Sequence, residues 1–304
     1  MKKLFVGILF ILLGTHVSAQ DYVIGRKAIN VGNYDAALQE FIPLAKQGHA
    51  HAQYDLGLMY FNGYGVVKDQ NEAVKWFKLA ALQGHDDAPL ALGSMYEYGK
   101  GVQENLTEAA KWYKLSAEQG DASGQSFLGL MYLKGRGVLK DTTEAIKWLE
   151  LAAEQGNVPA QNNLGHIYLN SEGALKDFNK ALKWYQLAAK EGSVNAQTSL
   201  GYMYSSARGV LQDHNEAIKW FQLAAKQGDA KAQNNLGSMY ELGSGVLQDN
   251  VTAHMWYNIS SANGFVVAGK HRNELSSIMT SEAIEKATAM ARECMKSDYK
   301  NCGY

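Results

Sequence analysis

The segment that decides the fold is Ala122–Asn157, ASGQSFLGLMYLKGRGVLKDTTEAIKWLELAAEQGN, whose pattern returns along the chain with a step of 36 residues. Gly, Tyr and Leu each recur at a fixed position of this pattern, here called a phase, and all six tryptophans of the chain are spaced by the same 36 residues. A fixed period of this length indicates one supersecondary structure stacked on copies of itself. The tryptophans are Trp76, Trp112, Trp148, Trp184, Trp220 and Trp256.

Each repeat is predicted to be an antiparallel pair of helices. Apolar and small side chains lie three and four apart over 122–132, which is the stripe of an amphipathic helix, called helix A. A glycine loop follows, and Asp141 with Glu144 is the capping box that begins a second helix, called helix B. Gly156 ends it. We expect Trp148 between its own helix A and the next repeat, so that Trp148→Ala would cost about 3–5 kcal/mol.

The motifs A-x-x-x-L-G-x-M-Y, G-x-G-V-x-x-D and E-A-x-K-W-Y-x-L-A-A-x-Q-G resemble the Sel1-like repeat family, relatives of the tetratricopeptide repeat. The resemblance covers residues 50–265. It implies an all-α fold, a right-handed α/α solenoid of antiparallel helix hairpins with 36-residue repeats. Six repeats are expected at 50–85, 86–121, 122–157, 158–193, 194–229 and 230–265.

The fourth repeat departs from the pattern. It reads Ser-Glu-Gly-Ala over 171–174 in its loop, and Lys180 stands where other repeats have the capping glutamate. We expect a local distortion there.

Both ends of the chain differ from the repeats. Residues 1–19 have a lysine pair, an apolar run and the small-residue end of a secretory signal peptide, with cleavage expected after Ala19. The apolar run is too short to serve comfortably as a membrane anchor, so no anchor is expected after signal removal. Residues 20–49 are expected to form an N-terminal capping hairpin, and 266–304 C-terminal capping helices, the last from Ser281 to about Lys296. We therefore expect an exported protein, periplasmic or secreted.

The two cysteines, Cys294 and Cys302, lie eight positions apart. In an exported chain this spacing favours a disulfide, which would add roughly 2–3 kcal/mol to the C-terminal region. A redox site is less favoured, because the spacing is not Cys-x-x-Cys.

Charge and metal-ligand patterns point away from several functions. Without Lys2 and Lys3 the 29 basic residues become 27 against 30 acidic ones, with no run of like charges, so no nucleic-acid partner is expected. The eight histidines form no metal-binding motif. His49 and His51 stand near the start of a helix A, where a solvated turn is favoured over a metal site. No cofactor and no metal are expected.

No catalytic set stands outside the repeat phase, so we predict no enzyme. Ser297 and Lys300 match the Ser-x-x-Lys pattern of penicillin-binding enzymes, but the other elements of that active site are missing and one chance match is expected. A hydrolase that binds β-lactams is therefore a distant alternative.

Comparison among the six repeats separates constant from variable positions of helix A. The variable phases begin at His51, Tyr54, Leu58 and Phe61 in the first repeat. By similarity to tetratricopeptide superhelices, helix A is expected to line a concave surface that binds an extended partner; the alternative is that these positions are exposed and bind nothing. An apolar subset, expected to be exposed, favours binding: Tyr54, Leu58, Phe61, Leu130, Leu133, Leu169 and Tyr202. The predicted partner-binding residues are His51, Tyr54, Leu58, Phe61, Asp87, Leu90, Glu97, Leu130, Leu133, Asn162, His166, Leu169, Asn195, Tyr202, Lys231, Asn234 and Glu241.

The sequence thus predicts an adaptor that binds a protein or peptide without catalysis. The alternative is binding to peptidoglycan or regulation of cell-wall enzymes.

Overall fold

The computed structural model describes residues 20–300 and Cys302. The predicted signal peptide, 1–19, lies outside the described residues, as does the end of the predicted C-terminal region. Within 20–300 every regular element is a helix, and no strand occurs. The chain divides between Gln155 and Gly156 into two compact units, here the first unit and the second unit.

Over residues 20–155 the first unit contains eight helices that alternate in direction as hairpins. The opening helix, α1, covers 20–30. The others are α2 Tyr34–Lys46, α3 Ala50–Asn62, α4 Gln70–Leu82, α5 Ala88–Tyr98, α6 Leu106–Glu118, α7 Ala122–Lys134 and α8 Thr142–Glu154.

The second unit also contains eight α-helices among its described residues. They are α9 Val158–Asn170, α10 Phe178–Lys190, α11 Val194–Ser205, α12 His214–Ala225, α13 Ala230–Leu242, α14 Asn250–Ala262, α15 Val266–Ser276 and α16 Ser281–Lys296. The limits of α16 are those expected from the sequence.

Each helix B begins at a side-chain cap, as the capping motif predicts. The carboxylate of Asp69 accepts the backbone N–H of Glu72 at 3.0 Å. The reciprocal bond of a capping box is replaced, however. Glu72 pairs instead with Lys75 at 2.6 Å, and the N–H of Asp69 donates to the carbonyl of Tyr60 in helix A at 2.9 Å. The constant tyrosine phase thus supplies the carbonyl that positions the next helix.

Left-handed glycines end most helices A and turn the chain towards helix B. Gly135 has φ 66°, a conformation that costs other residues roughly 1–2 kcal/mol. At the same phase in the fifth repeat stands Ala207, with φ 55°. The fourth repeat is distorted as expected: α9 ends in extended backbone at Ser171, and a 3₁₀ turn covers Gly173–Leu175.

The core corrects the predicted place of the tryptophans. Trp112 packs against a buried cluster that contains Phe77 of the preceding helix B and Leu92 of its own helix A, so it faces the preceding repeat, not the next one. The residue after a tryptophan shares a buried cluster with the next repeat, as Phe77 does with Leu92 and Tyr113 does with Leu128; Phe77 is 2% exposed. The six tryptophans also differ in burial. Trp184 and Trp256 are buried, whereas the other four tryptophans are half-buried.

Constant glycines allow the two helices of a hairpin to approach each other. A Cβ on Gly57 would lie 2.7 Å from the ring of Phe77, and one on Gly237 would lie 2.6 Å from the ring of Tyr257. No side chain larger than hydrogen fits there without movement of the ring.

The two ends of the described chain are held differently. In α1, Tyr22 and Arg26 donate to the buried carboxylate of Asp55, at 2.9 and 2.8 Å. After α16, a disulfide joins Cys294 to Cys302, as predicted. Of the helices described, none combines the length and apolarity that a bilayer span requires.

Candidate functional site

A groove of about 540 Å³ runs along helices A of the second unit. Its walls come from α9, α11 and α13, with one side chain from α10 and one from the start of α15. Five asparagines supply much of its polar lining. They are Asn162, Asn163, Asn195, Asn234 and Asn235.

Hydrogen bonds between successive repeats fix the floor of this groove. Asn162 exchanges hydrogen bonds with the hydroxyl of Ser193, at 2.7 and 3.0 Å. The Thr198 hydroxyl donates to Asp229 at 3.2 Å. Because Ser193 and Asp229 also cap the next helix A, the floor is rigid.

Other polar groups of the groove remain available to a ligand. The amides of Asn195 and Asn235 have no hydrogen-bond partner among the described residues. Tyr202 is 41% exposed, and the guanidinium of Arg208 lies 4.9 Å from its ring centroid. A carboxamide both donates and accepts, so this wall can bind a neutral chain of alternating N–H and C=O groups.

The structure brings seven of the predicted partner-binding residues to this groove. They are Asn162, His166, Leu169, Asn195, Tyr202, Lys231 and Asn234. Sequence analysis did not predict the remaining lining residues, although the Asn-Asn pairs at 162–163 and 234–235 stand at one phase and were a usable signal. The missed residues are Asn163, Tyr185, Thr198, Ser199, Asp229, Asn235 and Phe265.

In the first unit the predicted surface is largely closed by its own packing. Tyr54 stacks on His85, with ring centroids 4.2 Å apart, and burial raises its pKa to about 12. Tyr54, Leu58 and Phe61 pack against the buried cluster of α4 and α5. Leu90, Leu130 and Leu133 are half-buried, whereas His51 and Asp87 are exposed.

The apolar set predicted to be exposed is therefore wrong for six of its seven members. Tyr202 alone is exposed, and Leu169 is buried at 5%. The other five are half-buried, because their side chains lie between neighbouring helices and not on the outer face.

The phase that begins at Tyr54 does not vary freely, contrary to the sequence interpretation. In three repeats the residue at this phase contacts the start of the following helix A. The contacted residue is either the N-cap or the residue two positions before the N-cap. The pairs are Tyr54 with His85, Asn162 with Ser193, and Thr198 with Asp229. Asn234 is buried and contacts His271 at 3.0 Å.

Residues at the phase that begins at Phe61 contact helix B of the same repeat. Glu97 is 7% exposed and accepts from the Tyr113 hydroxyl at 2.7 Å and from Arg136 at 2.8 Å. Glu241 is partly buried and accepts from Tyr257. Burial, and then the glutamate, raises the pKa of both tyrosines. Glu97 is thus a structural residue, not part of an exposed surface.

The remaining sequence candidates lie in structural roles. Ser297 is the C-cap of α16, and its hydroxyl donates to the carbonyl of Cys294 at 2.8 Å. A helix C-terminus disfavours a developing alkoxide there. His49 caps α3 by accepting the N–H of Ala52 at 3.2 Å. Among the described residues, no group of three His, Cys, Asp or Glu could hold a metal ion.

The hairpins and their phase-locked contacts define an α-solenoid, a class of scaffold built from stacked helix pairs. A Sel1 repeat model matches six segments, at 50–85, 87–121, 122–157, 158–193, 194–229 and 230–265. The chain belongs to the Sel1 repeat family. Sel1 repeat proteins are generally scaffolds for protein interactions, and their fold is generally non-catalytic.

Solved structures of the same kind resemble this chain. A Sel1 repeat protein from Oxalobacter formigenes is 32% identical, with a TM-score of 0.67, over 79% of this chain and 96% of that one. The protective antigen c5321 of uropathogenic Escherichia coli is 26% identical, with a TM-score of 0.40, over 94% of this chain and 86% of that one. Among curated proteins, none matches this chain.

Proposed function

We propose that this protein is an exported Sel1 repeat adaptor that binds an extended segment of a protein partner in the groove of the second unit, without catalysis. The observation that carries the proposal is the row of asparagines, two of whose amides have no internal partner. An extended peptide presents one N–H and one C=O per residue, and carboxamides can satisfy both.

The groove also offers contacts for side chains of the partner. Tyr202 and Phe265 supply aromatic surface, and the exposed Lys231 and His166 share the lining with the acidic Asp229. Aromatic side chains among polar neighbours are the usual anchors of protein interfaces.

Export is supported by two features. The lysine-led apolar start matches a secretory signal, and disulfides persist mainly in oxidising compartments. The mature chain of this proposal is 20–304.

The test is affinity capture from the native envelope with three forms of the mature chain. Asn195→Ala combined with Tyr202→Ala removes two exposed groups of the groove. Asp87→Ala combined with Ser94→Ala changes the same two phases three repeats earlier, in the first unit. We expect one protein to be retained by the wild type and by the first-unit variant, and lost by the groove variant. Equal retention by all three would contradict the proposal.

Peptidoglycan remains the second candidate, because asparagine and tyrosine side chains also bind sugar hydroxyls. Sedimentation of the three forms with purified cell-wall sacculi distinguishes the two. Under the peptide proposal the chain stays in the supernatant, whereas groove-dependent sedimentation would favour the cell-wall role.

A further inference from the structure

A second and smaller pocket, of about 150 Å³, lies in the first unit. Two exposed aromatic rings line it: Tyr98 at 59% and Phe127 at 39%. Leu130 and the buried Met131 complete the apolar part of its lining. Four of the seven lining residues are thus apolar or aromatic, and the other three are charged.

The aromatic wall is held in place before any ligand arrives. The ring of Phe127 stacks on Tyr113, with centroids 5.0 Å apart and planes 16° apart. Tyr113 is itself fixed by its hydrogen bond to Glu97, and Glu97 by Arg136. A preformed wall lowers the entropy cost of binding.

The rim of the pocket is positively charged. Lys134 and Arg136 belong to the lining, and Lys100 lies 5.5 Å from the ring centroid of Tyr98. The one carboxylate of the pocket, Glu97, is buried and already paired with Arg136. The charge left for a ligand is therefore that of the lysines.

We infer that this pocket binds one bulky apolar side chain, a phenylalanine or leucine, from a peptide whose neighbouring residues are acidic. A cavity of roughly 150 Å³ accepts a benzene-sized group. Carboxylates beside that group would meet Lys100 and Lys134. This site is separate from the groove of the second unit and makes the first unit a binding element in its own right.

The other repeats show that the pocket is not required by the fold. At the phase of Phe127 they carry Asp55, Ala91, Asn163, Ser199 and Asn235, and at the phase of Tyr98 they carry Asn62, Lys134, Asn170, Ser206 and Leu242. Phe127→Asn and Tyr98→Asn therefore introduce residues that this scaffold already accommodates at those positions.

The test measures fluorescence anisotropy of labelled peptides with the mature chain. Three probes are needed: Gly-Asp-Glu-Phe-Glu-Asp-Gly, the same peptide with lysine at each acidic position, and the same peptide with alanine for phenylalanine. We expect the acidic phenylalanine peptide to bind at least tenfold more tightly than either control. Phe127→Asn should weaken that binding at least tenfold, and Tyr98→Asn should weaken it in the same direction.

Two further measurements place the peptide. A methyl-labelled Met131 should shift in the NMR spectrum on addition of the acidic peptide, in the wild type and not in Phe127→Asn. The groove variant, Asn195→Ala with Tyr202→Ala, should bind the peptide as the wild type does. Equal binding of the acidic and lysine peptides, or unchanged binding by Phe127→Asn, would overturn the inference. Loss of binding in the groove variant alone would also overturn it, and would assign the peptide to the proposed groove.

Discussion

The helix A surfaces of the two units differ although their helix pairs follow one pattern. At one phase the first unit carries Leu58, Ser94 and Leu130, all half-buried, whereas in the second unit His166 and Tyr202 are exposed and Ser238 is half-buried. The second unit has an open, asparagine-lined groove of about 540 Å³ along its helices A, whereas the aromatic pocket on helices A of the first unit has about 150 Å³.

This difference shows that a repeat protein can keep the same scaffold and change its surface through substitutions at a few positions. Constant leucine, glycine and tyrosine phases carry the packing in both units. Two of the variable phases are matched to internal partners, as Glu97 is to Tyr113. Surface chemistry is left to the phases of Asn195 and Tyr202, whose side chains are exposed in the second unit.

The largest effect in this comparison is expected from removal of the disulfide near the C-terminus. Cys294→Ser with Cys302→Ser removes the disulfide and should lower the free energy of unfolding of the second unit by about 2–3 kcal/mol. The first unit begins with the Arg26–Asp55 ion pair instead and should not respond. Hydrogen exchange followed by mass spectrometry should show faster exchange in α14 and α16, with α3 and α5 unchanged. Equal acceleration in both units would contradict this difference between the ends.

A second prediction concerns the internal pairing of the variable phases. Glu97→Leu leaves the buried Tyr113 hydroxyl without its acceptor and should cost about 1–3 kcal/mol in urea unfolding. Adding Tyr113→Phe removes the orphaned hydroxyl and restores an apolar pair like that of Phe61 and Phe77, so most of the loss should be recovered. Glu241→Leu is the matched change in the second unit and should behave alike. A double variant no more stable than Glu97→Leu would show that the two positions are independent.

A smaller effect is expected at the loop of the fifth repeat. Ala207 adopts φ 55°, whereas Gly63, Gly99, Gly135 and Gly243 occupy that phase elsewhere. Ala207→Gly should relieve this conformation and raise the unfolding free energy by about 0.5–1 kcal/mol, after the greater entropy of glycine in the unfolded chain is subtracted. Urea unfolding measures it, and Gly135→Ala should shift the midpoint the opposite way. A destabilised Ala207→Gly would show that the loop is not strained there.

The smallest effect is a pH dependence of the first unit. Burial, and then the nearby His51, lowers the pKa of His49 below its ordinary value of 6.5. A lowered pKa in the folded state means that stability is fully present above pH 6.5 and is lost as the pH falls through the folded pKa. Protonation also removes the acceptor that caps α3. The loss should be at most about 0.5 kcal/mol, since a cap contributes about 1 kcal/mol and the site is partly solvated.

His49→Asn places at this cap the residue that the fourth repeat already uses, Asn157. An asparagine cap does not titrate, so hydrogen exchange of α3 should differ less between pH 7.5 and pH 5 than in the wild type. An unchanged pH difference in the variant would assign the effect to another group, of which His85 is the nearest candidate because burial lowers its pKa as well.

The sequence predicts most of the scaffold and less of the site. The 36-residue period, the aspartate and asparagine caps and the disulfide follow from residue type and spacing, because local geometry determines them. The direction in which each tryptophan faces does not follow, since Trp112 could pack against either neighbouring repeat. Nor does the burial of Glu97 or Leu169 follow, because variation among repeats has the same appearance whether a side chain faces solvent or a matched internal partner.

The central claim is that the second unit's groove holds the partner, and site-specific photocrosslinking in the native envelope tests it most directly. A photoreactive phenylalanine analogue at Tyr202 is compared with the same analogue at Ser94, which stands at the same phase in the first unit. The account predicts one discrete crosslinked protein from position 202 that position 94 does not give. The same crosslinked product from both positions, or a product from position 94 alone, would contradict it.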